Sequence, residues 1–179
     1  MTLVAYIIVA LYATALLVIF VYSLSQLCLM VNYLKYKKEQ KNTVLPAVNK
    51  FPVVTIQLPV YNEKYVMERL LACIAMLDYN KNLLQVQVLD DSTDESREQT
   101  AALVNELKNK GYDIETVYRE NRDHYKAGAL KNGLLTAKGN FIAIFDADFL
   151  PGTQWIKQTG AGFTAENIGV VQTRWGTIK

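Results

Sequence analysis

Asp146 and Asp148 stand two residues apart at the end of an apolar run, Phe141-Ile-Ala-Ile-Phe145. Strand side chains alternate between faces, so this spacing predicts two carboxylates aimed the same way. A paired acidic site at the carboxyl end of a buried strand suits a divalent cation, Mg2+ or Mn2+, carrying phosphate oxygens. Such an ion would neutralise a diphosphate leaving group as a Lewis acid. A second acidic pair, Asp90-Asp91, closes the strand-like run Gln85-Val-Gln-Val-Leu89. One of these carboxylates can accept from a nucleobase N–H or from ribose hydroxyls. The plainer alternative is that Asp91 or Ser92 satisfies free N–H groups of a following helix.

Two further clusters carry usable chemistry. In Pro59-Val-Tyr-Asn-Glu63, Tyr61 offers a flat face for stacking a base. Asn62 and Glu63 can hydrogen-bond a base or ribose, or cap the next helix. In His124-Tyr-Lys-Ala-Gly128, Lys126 can meet a diphosphate as a point charge. Gly128 would let backbone approach a ligand closely. A solvated lysine on a loop is the alternative. His124 is the sole histidine, which excludes a multi-histidine metal site. Cys28 and Cys73 give neither a disulfide framework nor metal-ligand spacing.

The elements that must position these groups alternate. Phe51–Leu58 has strand composition, with Pro59 expected to end it. Glu63–Leu77 carries Val66, Leu70, Cys73, Ile74 and Leu77 as a helical stripe. Asp78–Asn82 reads as a turn before the Gln85 strand. Ser92 and Glu95 match a capping box for a helix over about 94–110, closed by Gly111. Tyr112–Tyr118 is a third strand, Ala127–Ala137 a helix, and the Phe141 run a fourth strand. Thr153 is placed to cap a helix through Trp155 and Phe163, and Ile168–Thr173 reads as a further strand. This alternation predicts an α/β domain with a mostly parallel sheet flanked by helices. Ligands in such sheets bind beyond the carboxyl ends of strands, which is where Pro59–Glu63, Asp90–Asp91 and Asp146–Asp148 all fall.

No charge occurs from Thr2 to Leu34, and Lys35, Lys37, Lys38 and Lys41 follow against a single Glu39. A bilayer span takes about 20 apolar residues, so residues 1–34 read as an uncleaved transmembrane anchor, with no basic lead or cleavage site of a signal peptide. Residues 35–50 read as a basic linker. Basic flanks stay on the cytosolic side, which predicts an N-terminus outside and residues 51–179 in the cytosol. The net charge of +2 implies no polyanion, hence no nucleic-acid partner.

Taken together, Pro-Val-Tyr-Asn-Glu63, Leu-Asp-Asp-Ser-Thr-Asp94, His-Tyr-Lys-Ala-Gly-Ala-Leu130 and Phe-Asp-Ala-Asp-Phe149 resemble the family 2 glycosyltransferases of the GT-A fold. With the N-terminal span, the set is similar to the membrane-bound processive branch of cellulose-, mannan- and glucan-synthase-like enzymes. The resemblance implies inverting transfer of a hexose from a UDP- or GDP-sugar to a growing polysaccharide or lipid acceptor at the membrane. It implies that Tyr61 and Glu63 line the nucleotide pocket, with Asp90 and Asp91 by the base and ribose. It puts Lys126 near the diphosphate and Asp146 and Asp148 on the diphosphate and its metal.

Inversion by direct displacement needs a general base for the acceptor hydroxyl. The family's Thr-Glu-Asp-like base motif and its Gln-x-x-Arg-Trp motif are absent. Gln172-Thr-Arg-Trp175 is one residue short of the latter, and reads instead as the family's Val-Gln-x-Arg-Trp strand. The expectation is an N-terminal fragment that holds the donor half, with its base beyond Lys179 and no turnover alone. A membrane-tethered nucleotide-binding module without catalysis is the alternative. An aspartyl-phosphate phosphatase wants Thr or Val where Leu150 stands. A phosphorelay receiver wants its lysine after the second acidic strand, whereas Lys126 precedes Asp146.

Overall fold

The computed structural model describes residues 2–40, 51–163 and 168–173. The chain divides into two compact units, Met1–Val44 and Leu45–Lys179.

The first unit is one helix, α1 (Leu3–Gln40). Its Leu3–Lys37 portion holds an 18-residue window of mean hydropathy 2.7 with no buried residue, long and apolar enough by length and composition to cross a membrane. Thr14 and Ser23 fold their hydroxyls back onto the carbonyls of Ala10 and Ile19, each at 2.8 Å, which pairs these two donors within the helix. The helix runs on through the first basic residues. Lys35 and Lys37 lie over the rings of Tyr36 and Tyr33, at 5.7 and 5.6 Å.

The second unit is a parallel sheet with helices on both faces. Its strands are β1 (Val54–Val60), β2 (Leu84–Asp90), β3 (Asp113–Val117) and β4 (Phe141–Ile144). The helices are α2 (Met67–Ala75), α3 (Ser96–Asn109), α4 (Tyr125–Gly133) and α5 (Trp155–Gly160). The spatial order is β3-β2-β1-β4, every pair parallel. The expected α/β alternation and parallel sheet are what the chain forms.

One face of the sheet is apolar. Ile56, Leu58, Val86, Val88 and Ile114 pack with Met67, Leu70 and Ile74 of α2 and Val104 of α3. The opposite face is polar and still covered. Thr55 and Gln57 of β1 pair in register with Gln85 and Gln87 of β2, and Glu115 of β3 follows. Thr55 Oγ1 donates to Gln85 Oε1 (2.7 Å), and Gln57 Nε2 donates to Gln87 Oε1 (3.0 Å). Gln87 Nε2 reaches Thr136 Oγ1 (2.8 Å), and the amides of Lys138 and Gly139 close the remaining acceptors on Gln85 and Thr55 (2.8 Å each). Each bond is worth only about 1 kcal/mol net, but a buried amide left unpaired costs more. The network therefore dictates how α4 and its exit segment lie on β1 and β2.

Several local expectations are corrected. Pro59 does not end β1, which runs to Val60. Gln57 turns its carbonyl toward β4 (Phe145 N, 3.2 Å) and Val60 toward β2 (Asp91 N, 3.0 Å). Pro59 therefore faces the β4 side, past the last pair Gln57–Ile144, where no N–H is needed. The capping box does not form, because Ser92 is used elsewhere: its Oγ accepts from Asn62 N at 2.9 Å. Asp94 takes over, accepting from Ser96 N at 3.1 Å, and the hydrogen bond from Ser96 lowers its pKa. Thr153 makes no side-chain cap on α5; its carbonyl instead accepts from Asp78 N at 2.9 Å. Residues 168–173 form no strand, being held through side chains such as Thr173 Oγ1, which accepts from Trp155 Nε1 at 3.2 Å. Arg174 and Trp175 lie outside the described residues. Gly111 does end α3, at φ 82°, with Gly111 N to Lys108 O (3.0 Å) and Tyr112 N to Leu107 O (3.2 Å) closing a Schellman motif.

Gly133 tests this packing. A Cβ there would meet Gln57 Nε2 at 2.5 Å and Leu89 Cδ2 at 2.8 Å. Alanine normally stabilises a helix by about 1 kcal/mol over glycine. Gly133→Ala is instead expected to destabilise the chain by about 1–3 kcal/mol through overpacking, read as a lower denaturation midpoint.

Candidate functional site at the carboxyl edge of the sheet

Because every strand is parallel, all four carboxyl ends lie on one rim. β1 opens into Tyr61–Glu63, β2 into Asp91, β3 into Arg119 and β4 into Asp146. The pair Val60–Asp90 sets the first two loops side by side. Asn62 locks them together: its amide donates to Ser92 Oγ, and its Oδ1 accepts from Thr93 N at 3.0 Å. Asn62 adopts φ 56°, and His124 and Tyr125 adopt 58° and 46°. These three left-handed non-glycine residues all fall on the site's rim. A bulky Tyr125 in that region is strained, a feature that gathers at functional sites.

The two aspartates after β2 divide their work. Asp91 receives both Nε (2.7 Å) and Nη2 of Arg119, a bidentate pair with side chains only 9% and 12% exposed. The hydrogen bonds that Arg119 donates to the Asp91 carboxylate raise the Arg119 pKa. Arg119 also donates to the carbonyls of Asp123 (2.6 Å) and Tyr125 (2.7 Å), so it ties the β3–α4 loop to β2. Asp90 is buried, 3% exposed. Its Oδ1 accepts from Ser92 N at 2.8 Å, and its Oδ2 has no hydrogen-bond partner among the described residues. A buried carboxylate oxygen without a donor is costly.

Lys126 lies in the first turn of α4 and pairs with Asp146. The N-terminal end of α4 follows β3 onto the same rim. A cation there, against the helix dipole, suits an anion between them. Gly128 is not an opening for ligand. A Cβ on it would meet the Asp123 carbonyl at 1.9 Å, so its bareness serves the loop that Arg119 ties down.

Asp146 and Asp148 are not on the strand itself. β4 ends at Ile144, and Asp146-Ala-Asp148 enters a turn in which Phe149 N donates to Asp146 O at 2.9 Å. Burial still alternates: Phe145 and Ala147 are buried, Asp146 is half-buried and Asp148 exposed. The two carboxylates thus leave the core at alternate positions, as strand logic requires, with the Phe145–Phe149 stack (centroids 5.4 Å apart) holding the turn. Among the described residues no third His, Cys, Asp or Glu joins them as a metal cluster. His124 serves as the left-handed residue before α4. Beside β4 lies a cavity of about 490 Å3, lined by Phe145, Trp155 and Val171 and by Lys126 and Asp146.

Sequence reasoning missed Arg119 and Arg122. Arg122 lies with its guanidinium carbon 3.3 Å from the Tyr61 ring centroid and its Nε 3.7 Å from Asp91 Oδ2. The available signal was Arg119-Glu-Asn-Arg122 directly after a strand, on the same edge as the acidic pairs.

The model of the Glycosyl transferase family 2 matches residues 55–179. Glucomannan 4-beta-mannosyltransferase 1 of Cyamopsis tetragonoloba is 39% identical over 149 residues, covering 80% of this chain and 28% of that protein. Probable glucomannan 4-beta-mannosyltransferase 3 of Arabidopsis thaliana is 41% identical over 131 residues, covering 70% and 23%. The chain thus spans about a quarter of the length of these curated relatives. Among solved structures, the mannosyltransferase PcManGT from Pyrobaculum calidifontis, in complex with GDP-Man and Mn2+, superposes with a TM-score of 0.65 at 29% identity, covering 78% of this chain and 41% of that one.

Removing Arg119 would leave Asp91 only the long contact to Arg122 and would free the loop. Arg119→Met is expected to cost about 3 kcal/mol and to raise hydrogen exchange across 119–126 while leaving β1 protected.

Proposed function

The chain belongs to glycosyl transferase family 2, and from that premise we propose that its carboxyl rim binds a nucleotide-sugar for inverting hexosyl transfer. The donor is a GDP- or UDP-sugar, GDP-mannose first, and the acceptor a growing polysaccharide or a lipid. The observation that carries the reading is the meeting of Tyr61, Asp90, Lys126 and Asp146 loops on one edge, from strands far apart in the sequence. The names of the curated relatives and the GDP-Man and Mn2+ bound in the Pyrobaculum calidifontis neighbour support the choice of sugar and metal.

In this reading the base lies on Tyr61, and Asp90 Oδ2 accepts from a base N–H, the donor that this buried oxygen lacks. Asp91 acts through Arg119 rather than on the ligand. Glu63, half-buried after β1, is left for the ribose. Asp146 and Asp148 would hold Mg2+ or Mn2+. Two carboxylates, with phosphate and water oxygens completing the shell, suit these hard ions. When bound, the ion supplies Lewis-acid neutralisation of the diphosphate leaving group. Lys126 exchanges Asp146 for the diphosphate, aided by the amides of the first turn of α4. The N-terminal helix anchors the domain to the membrane, with the basic stretch from Lys35 and the donor site both on the cytosolic side.

Calorimetry on the full chain in detergent, with GDP and UDP and with or without Mn2+, tests the reading. Metal-dependent binding is expected. Asp148→Ala should weaken it about tenfold or more, the loss of a charge-assisted ligand, and the exposed Glu106→Ala should not. Binding indifferent to metal, or equal losses in both variants, would contradict it.

A further inference from the structure

The stacking platform of the site is already in use. Arg122 covers Tyr61 at 3.3 Å, and a second ring, Tyr125, lies 5.4 Å from the same guanidinium. Its carboxylate contact is shared and long, 3.7 Å to Asp91, because both Asp91 oxygens are taken by Arg119. The side chain is 38% exposed. Arg122 touches both Tyr61 and Asp91, so it stands between the stacking ring and the acidic loop that the donor-site reading sets beside the base.

Resting on the donor-site reading above, we propose that Arg122 is a displaceable cover on the base platform. Nucleobase and guanidinium compete for one face of Tyr61, and Arg122 leaves it when the nucleotide binds. The order of strengths permits the exchange: a part-exposed cation–π contact is weaker than a base stacked on an aromatic ring. The loop need not move. Arg119 pins it through Asp91 and the carbonyls of Asp123 and Tyr125, so rotation of the Arg122 side chain suffices. A covered platform also keeps an exposed tyrosine face from stray apolar partners while the site is empty.

The test is a double-mutant cycle on the full chain, with GDP and UDP affinities measured in the presence of Mn2+. Arg122→Ala is expected to tighten both by about twofold to fivefold, the worth of such a contact. In the Tyr61→Ala background the same change should leave affinity unaltered. Lys81→Ala, which strips a cation from Tyr112 at the opposite edge of the sheet (3.9 Å), serves as the control and should have no effect. Weaker or unchanged binding in Arg122→Ala overturns the cover and leaves the donor site standing, as does equal tightening without Tyr61. If the unaltered chain binds neither nucleotide, the donor site itself falls and the cover with it.

Discussion

Two parallel ladders on either side of β1 determine where chemistry can occur in this chain. β2 and β4 both run with β1, and β3 runs with β2, so every strand delivers its following loop to one rim. Residues near positions 61, 91, 119 and 146 become neighbours without any contact between adjacent stretches of sequence. The order also reverses direction at β1: the chain first winds outward through β2 and β3, then returns to the far side as β4. A crevice forms at such a switch point. Here it is widened by the early end of β4 and by Pro59, whose missing N–H faces that side.

A rim so crowded with charge needs a rigid floor. The polar face of the sheet supplies it. An apolar face would let α4 slide, since hydrophobic contact is non-directional. The glutamine ladder of Gln57, Gln85 and Gln87 has directional partners in α4 and in residues 136–139, and so specifies one placement. Lys126 sits in the first turn of that helix, and its position against Asp146 follows from the network beneath. Arg119 does the same for the β3–α4 loop. Its two bonds to Asp91 and two to backbone carbonyls turn a strained loop into a fixed one.

Much of this was legible before any coordinates. The strands ending in Asp90 and before Asp146 are visible because greasy runs stop abruptly at carboxylates, although only the first is buried along its length, and a helical stripe such as Leu70–Ile74 is visible by its period. What stayed hidden depends on partners distant in sequence. Ser92 looks like a helix cap until Asn62, thirty residues earlier, claims its hydroxyl. Asp90 and Asp91 look equivalent until Arg119 takes one and burial isolates the other. Arg119-Glu-Asn-Arg122 reads as a solvated loop, since nothing local says that one guanidinium meets a carboxylate and the other a ring. The strand expected over 168–173 failed because strand composition does not guarantee a ladder partner.

These strand ends are proposed to form one nucleotide-diphosphate site at the carboxyl rim. Paramagnetic broadening by Mn2+ in the presence of GDP, read on amide resonances of the full chain, tests it most directly. Selective broadening is expected at 61–63, 90–92, 119–126 and 146–148, with Lys81–Leu83 and Lys138–Gly139 at the opposite edge left sharp. Broadening centred on that opposite edge, or spread evenly over the domain, would contradict it.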